Sequence, residues 1–367
     1  MRLPLIDSDA ALRSALAALP AGEPLAVDTE FMRRDSYFPR VALLQLSAGG
    51  EPLLIDPLPL ADLDPLRALF ADRSREKVLH ACSEDLEVFD CWLGVQPQPL
   101  VDTQRAAALL GEDFGLGYRA LVERLLGVVL DKGETRSDWL RRPLSDSQRH
   151  YAAQDVIHLV DLWRRLRARA QASGRLAWIL EDGADLLRER GRGRDAFRRL
   201  RGAGRLSRRQ LAVLAAIYDW REARARRLDR PRGWVLDDKA CLAIARAMPA
   251  SRAALASLEA LPPALLRRAG DDVLALVAAA AAAPEAELPA PFPEPLDGPG
   301  RARLKALRGR LRERAAALGV QPEVLLSGSE LELLLREAGG EDVSVPQRWS
   351  GWRAAAVVEP LRQGAAS

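Results

Sequence analysis

Leu25-Ala26-Val27-Asp28-Thr29-Glu30-Phe31 is a short apolar run that ends in two acids flanking a threonine. Runs of this length bounded by turn signals read as strands, and in a strand residues two apart share a face. The carboxylates of Asp28 and Glu30 therefore point the same way. Like charges that close repel unless a cation lies between them, and oxygen ligands suit Mg²⁺ or Mn²⁺. An acidic turn where a strand surfaces would look the same, so the triplet alone leaves both readings open. Its surroundings decide the fold. Ala42–Ser47 and Pro52–Ile55 are further apolar runs, the second reached through Ala48-Gly49-Gly50-Glu51, a hairpin-like connection. Residues 1–60 thus read as strands with turns between them.

Beyond them the pattern changes to strand–helix alternation. Val78–Cys82 is a β run, Ser83 an N-cap, and Glu84–Leu93 a helix stopped by Gly94. Leu100–Asp102 reads as a short strand, followed by a helix to Leu110 and another over Leu116–Leu126. Val128–Leu144 reads as a loop and Ser145–Gln171 as one long helix, with Ser145 and Gln148 at capping-box spacing. A meander followed by such units predicts an α/β domain, a mixed sheet flanked by helices.

Two more sites carry chemistry. Asp85 follows the run Val78–Cys82, near the strand ends where open α/β sheets gather ligands; an acid in the first turn of a helix is also ordinary capping. Tyr151 and Asp155 stand four apart on the long helix and share a face, which a core tyrosine beside a surface acid would also explain. His80 reads as a core histidine and His158 as ordinary helix surface or packing, and three histidines give no metal cluster.

Taken together, Asp28-x-Glu30, Asp85 and Tyr151-x-x-x-Asp155 resemble the three exonuclease motifs of the DEDD superfamily, in its tyrosine branch. Ala26–Phe31 with Leu44-Gln45-Leu46, His80-Ala81-Cys82-Ser83-Glu84-Asp85, Arg136-Ser137-Asp138-Trp139 with Arg142-Pro143-Leu144, and Tyr151-Ala152-Ala153-Gln154-Asp155-Val156 look like the ribonuclease D family over residues 1–175. Leu206–Leu276 resembles the HRDC helical domain that accompanies that nuclease and some helicases. The resemblance implies a ribonuclease-H-like exonuclease domain followed by two small all-α HRDC-type domains. It implies two divalent cations (Mg or Mn) on Asp28, Glu30, Asp85 and Asp155, with Glu30 and Tyr151 in the catalytic machinery and Tyr151 orienting the attacking water. The implied activity is 3′→5′ exoribonucleolytic trimming of tRNA precursors with 3′ trailers, releasing nucleoside 5′-monophosphates. A DNA exonuclease and a non-catalytic nucleic-acid scaffold are the competing readings.

Composition agrees with a nucleic-acid partner. The 367 residues, 48% hydrophobic and 29% charged, suffice for two or three domains at ~150 residues each. The longest charge-free apolar run, Val273–Ala283, is far short of the ~20 residues of a membrane span, and the first residues hold no signal-like apolar core. Cys82, Cys91 and Cys241 make no disulfide framework, so the expectation is a reduced, cytoplasmic protein with no membrane role and no obligatory protein partner. The net charge of +3 hides an asymmetry: residues 186–233 carry 16 arginines against 5 acids, a local +11 that leaves −8 for the rest. Such a block is the footprint of phosphate binding or the solvated face of a helix. Candidate RNA contacts are Arg221, Arg224, Arg226 and Arg227 in the block, with Arg142, and Phe31, Tyr37, Phe38 and Trp139 as stacking surfaces. The expected domains are 1–175 (exonuclease), 176–204 (basic connector), 205–283 (HRDC), a proline-rich linker 284–299, and 300–367 (second HRDC-like module). A chain ending near Gly183 is expected to keep the chemistry.

Overall fold

The computed structural model describes residues 4–131, 133, 137–189, 193–259, 261 and 263–365. Six strands, β1 (Leu5–Ile6), β2 (Leu25–Met32), β3 (Arg40–Ser47), β4 (Leu53–Ile55), β5 (Lys77–Leu79) and β6 (Leu100–Asp102), form one mixed sheet in the order β1-β4-β3-β2-β5-β6. β3 runs antiparallel to β2 and β4, whereas β5 is parallel to β2 and β6. The mixed sheet and the β3–β4 hairpin are as the sequence predicts. Alternation along β2 then builds two cores. Ala26, with Val78 and Val101, faces Val156, Val160 and Trp163, while Leu25 and Val27 face Leu86 and Phe89 on the other side.

Contacts divide the chain into two units: Met1–Met32, Arg40–Arg190 and Leu296–Ser367 form one, Arg33–Pro39 and Gly191–Pro295 the other. The segment expected as a separate module from 300 onward thus shares the nuclease core: Leu304, Leu307, Leu311, Leu331, Leu334 and Trp352 belong to the same apolar cluster as Val101 and Trp163. Charge adds to this packing. Asp182 accepts bonds from Arg105 at 2.5 and 2.9 Å and from Arg353 at 3.0 Å, and Arg353 is only 1% exposed.

The second unit is helical, with Arg208–Leu228, Arg232–Val235, Asp238–Ala247 and Pro263–Ala282 around a core of Leu211, Leu214, Ile217, Ile244 and Val273. The proline-rich stretch is held against this unit. Arg198 donates to the Ala290 carbonyl, Arg208 to those of Glu285, Leu288 and Pro289, and Phe292 packs on the core. The first unit repeats this pattern near the C-terminus. Helices Gly298–Leu318, Pro322–Leu325 and Gly328–Ala338 match the first three in order and, to within one residue, in length, and buried Leu214, Ile217, Ala225, Val235, Cys241 and Ile244 correspond, at one constant offset, to Leu304, Leu307, Ala315, Leu325, Leu331 and Leu334.

Three local expectations are corrected. In the stretch read as strands alone, Asp9–Ala17 is a helix capped by Ser8, as its run of alanine and leucine favours. β5 ends at Leu79, and the helix Ser83–Trp92 starts with Cys82 at the cap position and no side-chain cap. The single helix over Ser145–Gln171 is two, Asp146–Ile157 and Leu159–Ala172, with the capping box at Ser145 as expected. The cause of the break is a side chain inserted into the ladder, a recognised source of helix kinks. The Tyr118 hydroxyl donates to the Gln154 carbonyl at 3.1 Å, the acceptor that the His158 N–H would take in an unbroken helix, and that N–H bonds to the Val156 carbonyl instead.

No helix among the described residues is long and apolar enough to cross a membrane.

Candidate active site

β2 lies between the two helices that bring the other acids. Asp28 and Glu30 face the helix Asp146–Ile157, and one carboxylate oxygen from each of Asp28, Glu30 and Asp155 falls within 4.8 Å of the others. Thr29, on the opposite face of β2, donates its hydroxyl to Asp85 at 2.5 Å. Asp85 thus reaches the same cavity from the helix Ser83–Trp92. A register shift between Glu30 and Phe31 breaks the alternation; bulges beside active sites re-aim side chains in this way, and Phe31 lines the cavity together with the acids. The cavity, of about 270 Å³, is bounded also by His80, Tyr118 and Tyr151.

The turn that delivers Asp85 is held by Asp102 at the end of β6. Its carboxylate accepts the N–H groups of Ala81 (3.0 Å), Cys82 (3.1 Å) and Gln104 (2.9 Å). Ala81 has φ 55°, a conformation L residues adopt at a cost unless their surroundings fix it. His80 sits in the same turn. Thr103 donates its hydroxyl to Leu79 O, so its oxygen accepts the Nδ1–H of His80 at 2.9 Å. Nε2 has no partner among the described residues. The reading of His80 as a satisfied core histidine is therefore corrected: it is a wall of the cavity, its imidazole pushed down by burial.

The acids disturb one another strongly. Loss of hydration is the largest cause for all four, since the carboxyl groups lie deep although their residues keep some accessible surface. Asp28 is raised well above the usual range by burial and then by Asp155, Asp85 and Glu30; Glu30 is raised to about 9 by burial and then by Asp155 and Asp85. Asp85 is pushed up to about 6 by burial against the bond from Thr29, and Asp155 to about 7 by burial against the bond from Tyr151 and the charge of Arg119. A buried all-oxygen set with so little compensating cation is the donor chemistry of a hard divalent ion. The acidic cluster is suited to divalent metal. Gln45, opposite Asp28 across the β2–β3 pair, is fully buried, and neither amide atom has a partner among the described residues.

Tyr151 is half-buried on the helix that carries Asp155. Burial and the charges of Asp155, Glu30 and Asp28 push its phenol far up, so it stays protonated. Its ring lies against the backbone of Gly133: a Cβ added there would come within 1.6 Å of Tyr151 Cε2.

Several expected RNA contacts lie elsewhere. Trp139 is 3% exposed and packs with Leu43, Leu54, Ala152 and Ala153, its ring 6.1 Å from that of Tyr151; it supports the tyrosine from behind and has no surface for a base. Arg142 is bound to Asp56 (2.5 and 2.7 Å) and to the Ala42 and Trp139 carbonyls. Arg136, quoted in the same motif, lies outside the described residues. Tyr37 is buried, its hydroxyl donating to Glu222 and accepting from Arg226 and Arg232. Arg221, 3% exposed, is paired with Asp238 at 2.6 Å. These residues are structural. Phe38, Arg224 and Arg227 keep accessible surface. Sequence reasoning misses Thr29, Tyr118, Asp102 and Gly133. Thr29 is signalled only by its place between two acids, and the others by no local feature.

The family model described as a 3′-5′ exonuclease matches residues 4–171, and the HRDC domain model matches residues 210–277. Ribonuclease D of Pseudomonas paraeruginosa is 42% identical over 352 residues, covering 95% of this chain and 93% of its own. Ribonuclease D of Escherichia coli is 38% identical over 368 residues, 98% of each chain. The crystal structure of E. coli RNase D, described as an exoribonuclease involved in structured RNA processing, is similar with a TM-score of 0.89, covering 99% of this chain and 98% of that one.

Proposed function

The chain belongs to the ribonuclease D family, and from that premise we propose that Asp28, Glu30, Asp85 and Asp155 hold two divalent cations while Tyr151 orients the water that attacks the 3′-terminal phosphodiester of a tRNA precursor. The enzyme is a 3′→5′ exoribonuclease. When bound, a pair of such cations neutralises the charge that builds up in an in-line phosphoryl displacement and lowers the pKa of water at the site. The protein's own work is positional. The four carboxylates supply the negative charge that holds the cations, and Thr29 fixes Asp85 by its hydroxyl. A phenol held protonated cannot act as a strong base at neutral pH; Tyr151 gives and accepts hydrogen bonds that fix the line of attack. Phe31 offers a ring at the cavity wall for the terminal base.

The observation that carries this reading is the convergence of Asp28, Glu30 and Asp155 within 4.8 Å, with Tyr151 one helical turn from Asp155. We read residues 298–338 as a second copy of the HRDC helical module, on the strength of the constant-offset correspondence in buried positions. The substrate class is tested by a time course on a tRNA with a 3′ trailer beside single-stranded DNA of matched length. Trailer removal one nucleotide at a time, with 5′-monophosphate products and slower loss of DNA, is expected. DNA degraded as fast as the trailer would favour a DNA exonuclease instead.

A further inference from the structure

Among the described arginines of the basic block, some are bound to protein groups and others, Arg199, Arg201, Arg205 and Arg227 included, are not. Arg198, Arg208 and Arg209 bind the carbonyls or acids of the proline-rich stretch and the preceding helix. Arg221 is paired with Asp238, Arg226 is bonded to Tyr37, and Arg232 is paired with Glu222. These six act as internal cement. Arg224 and Arg230 do not. Among the described residues neither guanidinium has a hydrogen bond or an acid partner, and Arg224 lies over the Trp220 ring. Arg268, on the helix Pro263–Ala282, is likewise without a partner among the described residues. These three line one cavity of about 290 Å³ with Leu228, Trp234 and Leu265. Trp234 is 63% exposed and Leu228 47%.

An indole left in water among three uncompensated guanidiniums is unfavourable for the fold by itself, since apolar area is exposed and like charges are gathered. The repeat in the first unit shows what this face does when protein covers it. At the same offset, Trp234 corresponds to Val324 and Arg230 to Val320, and both valines pack into the apolar core. Arg224 corresponds to Arg314, which donates to the Ala356 carbonyl. Where the fold uses this face against protein, the side chains are apolar and the arginine is satisfied. In the second unit the same positions carry charge and an aromatic plane. A ligand with an apolar flat surface and several negative charges fits that combination, which is the chemistry of an unpaired nucleotide: the base stacks on the indole and flanking phosphates meet the guanidiniums.

We infer that the cavity formed by Arg224, Arg230, Trp234 and Arg268 is a second RNA-binding site, taking an unpaired nucleotide of the substrate outside the exonuclease cavity. The inference rests on the reading of the chain as acting on RNA, and its test separates the two. Affinity of the full chain for a fluorescein-labelled tRNA with a 3′ trailer is measured by anisotropy in EDTA, across a salt series. Trp234→Ala weakens binding by about five- to 150-fold, the range for loss of one stacked base, and Trp234→Phe restores most of it. Arg230→Glu with Arg268→Glu flattens the salt dependence by between one and two units of slope. Lys239→Glu, an exposed charge outside the cavity, changes the slope less. Because Trp234 and both arginines are exposed, melting temperatures stay within a degree or two, and a variant that melts lower is judged by the Trp234→Phe and double-arginine arms. Affinity within twofold of wild type for Trp234→Ala, with an unchanged salt slope in the double variant, overturns the site and leaves this face to a partner that is not nucleic acid. A chain that binds tRNA through Trp234 yet does not shorten it keeps this inference and removes the substrate reading.

Discussion

Gly133 and Gln45 are the two residues at which the site's demands are most visible one atom at a time. A methyl group at Gly133 has no room while Tyr151 holds its position. Gly133→Ala therefore displaces the phenol. Its kcat should fall by one to three orders of magnitude, within the range for a misplaced proton-handling group, while divalent-metal affinity measured by calorimetry stays within about threefold. A loss of metal affinity equal to the loss of kcat would mean that the glycine supports the carboxylates and not the tyrosine. Gln45 is the reverse case. A buried amide without partners costs about 1–3 kcal/mol, and a fold that keeps one at the foot of Asp28 is giving up stability beside its site. Gln45→Leu should raise the melting temperature and lower kcat; a rise in both would show that the amide has no part in the reaction.

Between residue and fold stands the turn that joins β5 to the helix Ser83–Trp92. Its shape depends on Asp102, two strands along from β2, because one carboxylate accepts the N–H groups of Ala81, Cys82 and Gln104 together. Asp102→Ala frees a turn that is unfavourable for Ala81 and uncaps the helix Thr103–Leu109. We expect about 2–4 kcal/mol of lost stability by denaturant titration, and a weaker metal site because Asp85 is no longer delivered; a variant as stable as wild type would contradict this account of the turn. In the sequence this element is legible only in part. The run of Val78 and Leu79, the helix after it and the stop at Gly94 are local signals. The acid that shapes the turn lies beyond that helix, at the end of another strand, and reads as an ordinary strand end. The same division explains the other outcomes. Asp28, Glu30, Asp85, Tyr151 and Asp155 are readable because each stands at a fixed offset within its own strand or helix. Trp139, Arg142 and Arg221 are misread because their partners, Ala153, Asp56 and Asp238, become neighbours only through tertiary packing. Tyr118 breaks a helix that begins well after it in the chain, which no periodicity within that helix can announce.

At the scale of the molecule, the chemistry and the stability draw on the same charges. The folded-state pKa values of the four acids are raised, so protonation favours the metal-free fold. Their contribution to its stability is fully present below about pH 4, the ordinary carboxylate range, and is lost as pH rises. The loss runs through about 6, 7 and 9, where Asp85, Asp155 and Glu30 ionise. Divalent metal binds the deprotonated cluster, so the rise in melting temperature on adding Mg²⁺ or Mn²⁺ should grow from pH 5 to pH 9; a rise that shrinks over that interval would contradict the assignment of these shifts. The C-terminal helices matter as much. The expectation that a chain ending near Gly183 keeps the chemistry is not supported by the structure, because that end falls within the helix Leu176–Glu189, removes Leu304, Leu334 and Trp352 from the core they share with Val101 and Trp163, and takes Arg353 from Asp182. Such a chain should show no cooperative thermal transition, and a sharp transition would restore the reading of an exonuclease domain that folds without the C-terminal helices. The decisive comparison is of metal titration and turnover in Asp155→Asn and Tyr151→Phe, both on a tRNA with a 3′ trailer. If the acids hold the cations and the phenol only orients water, Asp155→Asn loses both calorimetric metal binding and activity. Tyr151→Phe then binds metal as wild type does while trimming roughly 10²–10⁴-fold more slowly. Metal binding lost in Tyr151→Phe, or trimming retained in Asp155→Asn, would contradict this division of roles.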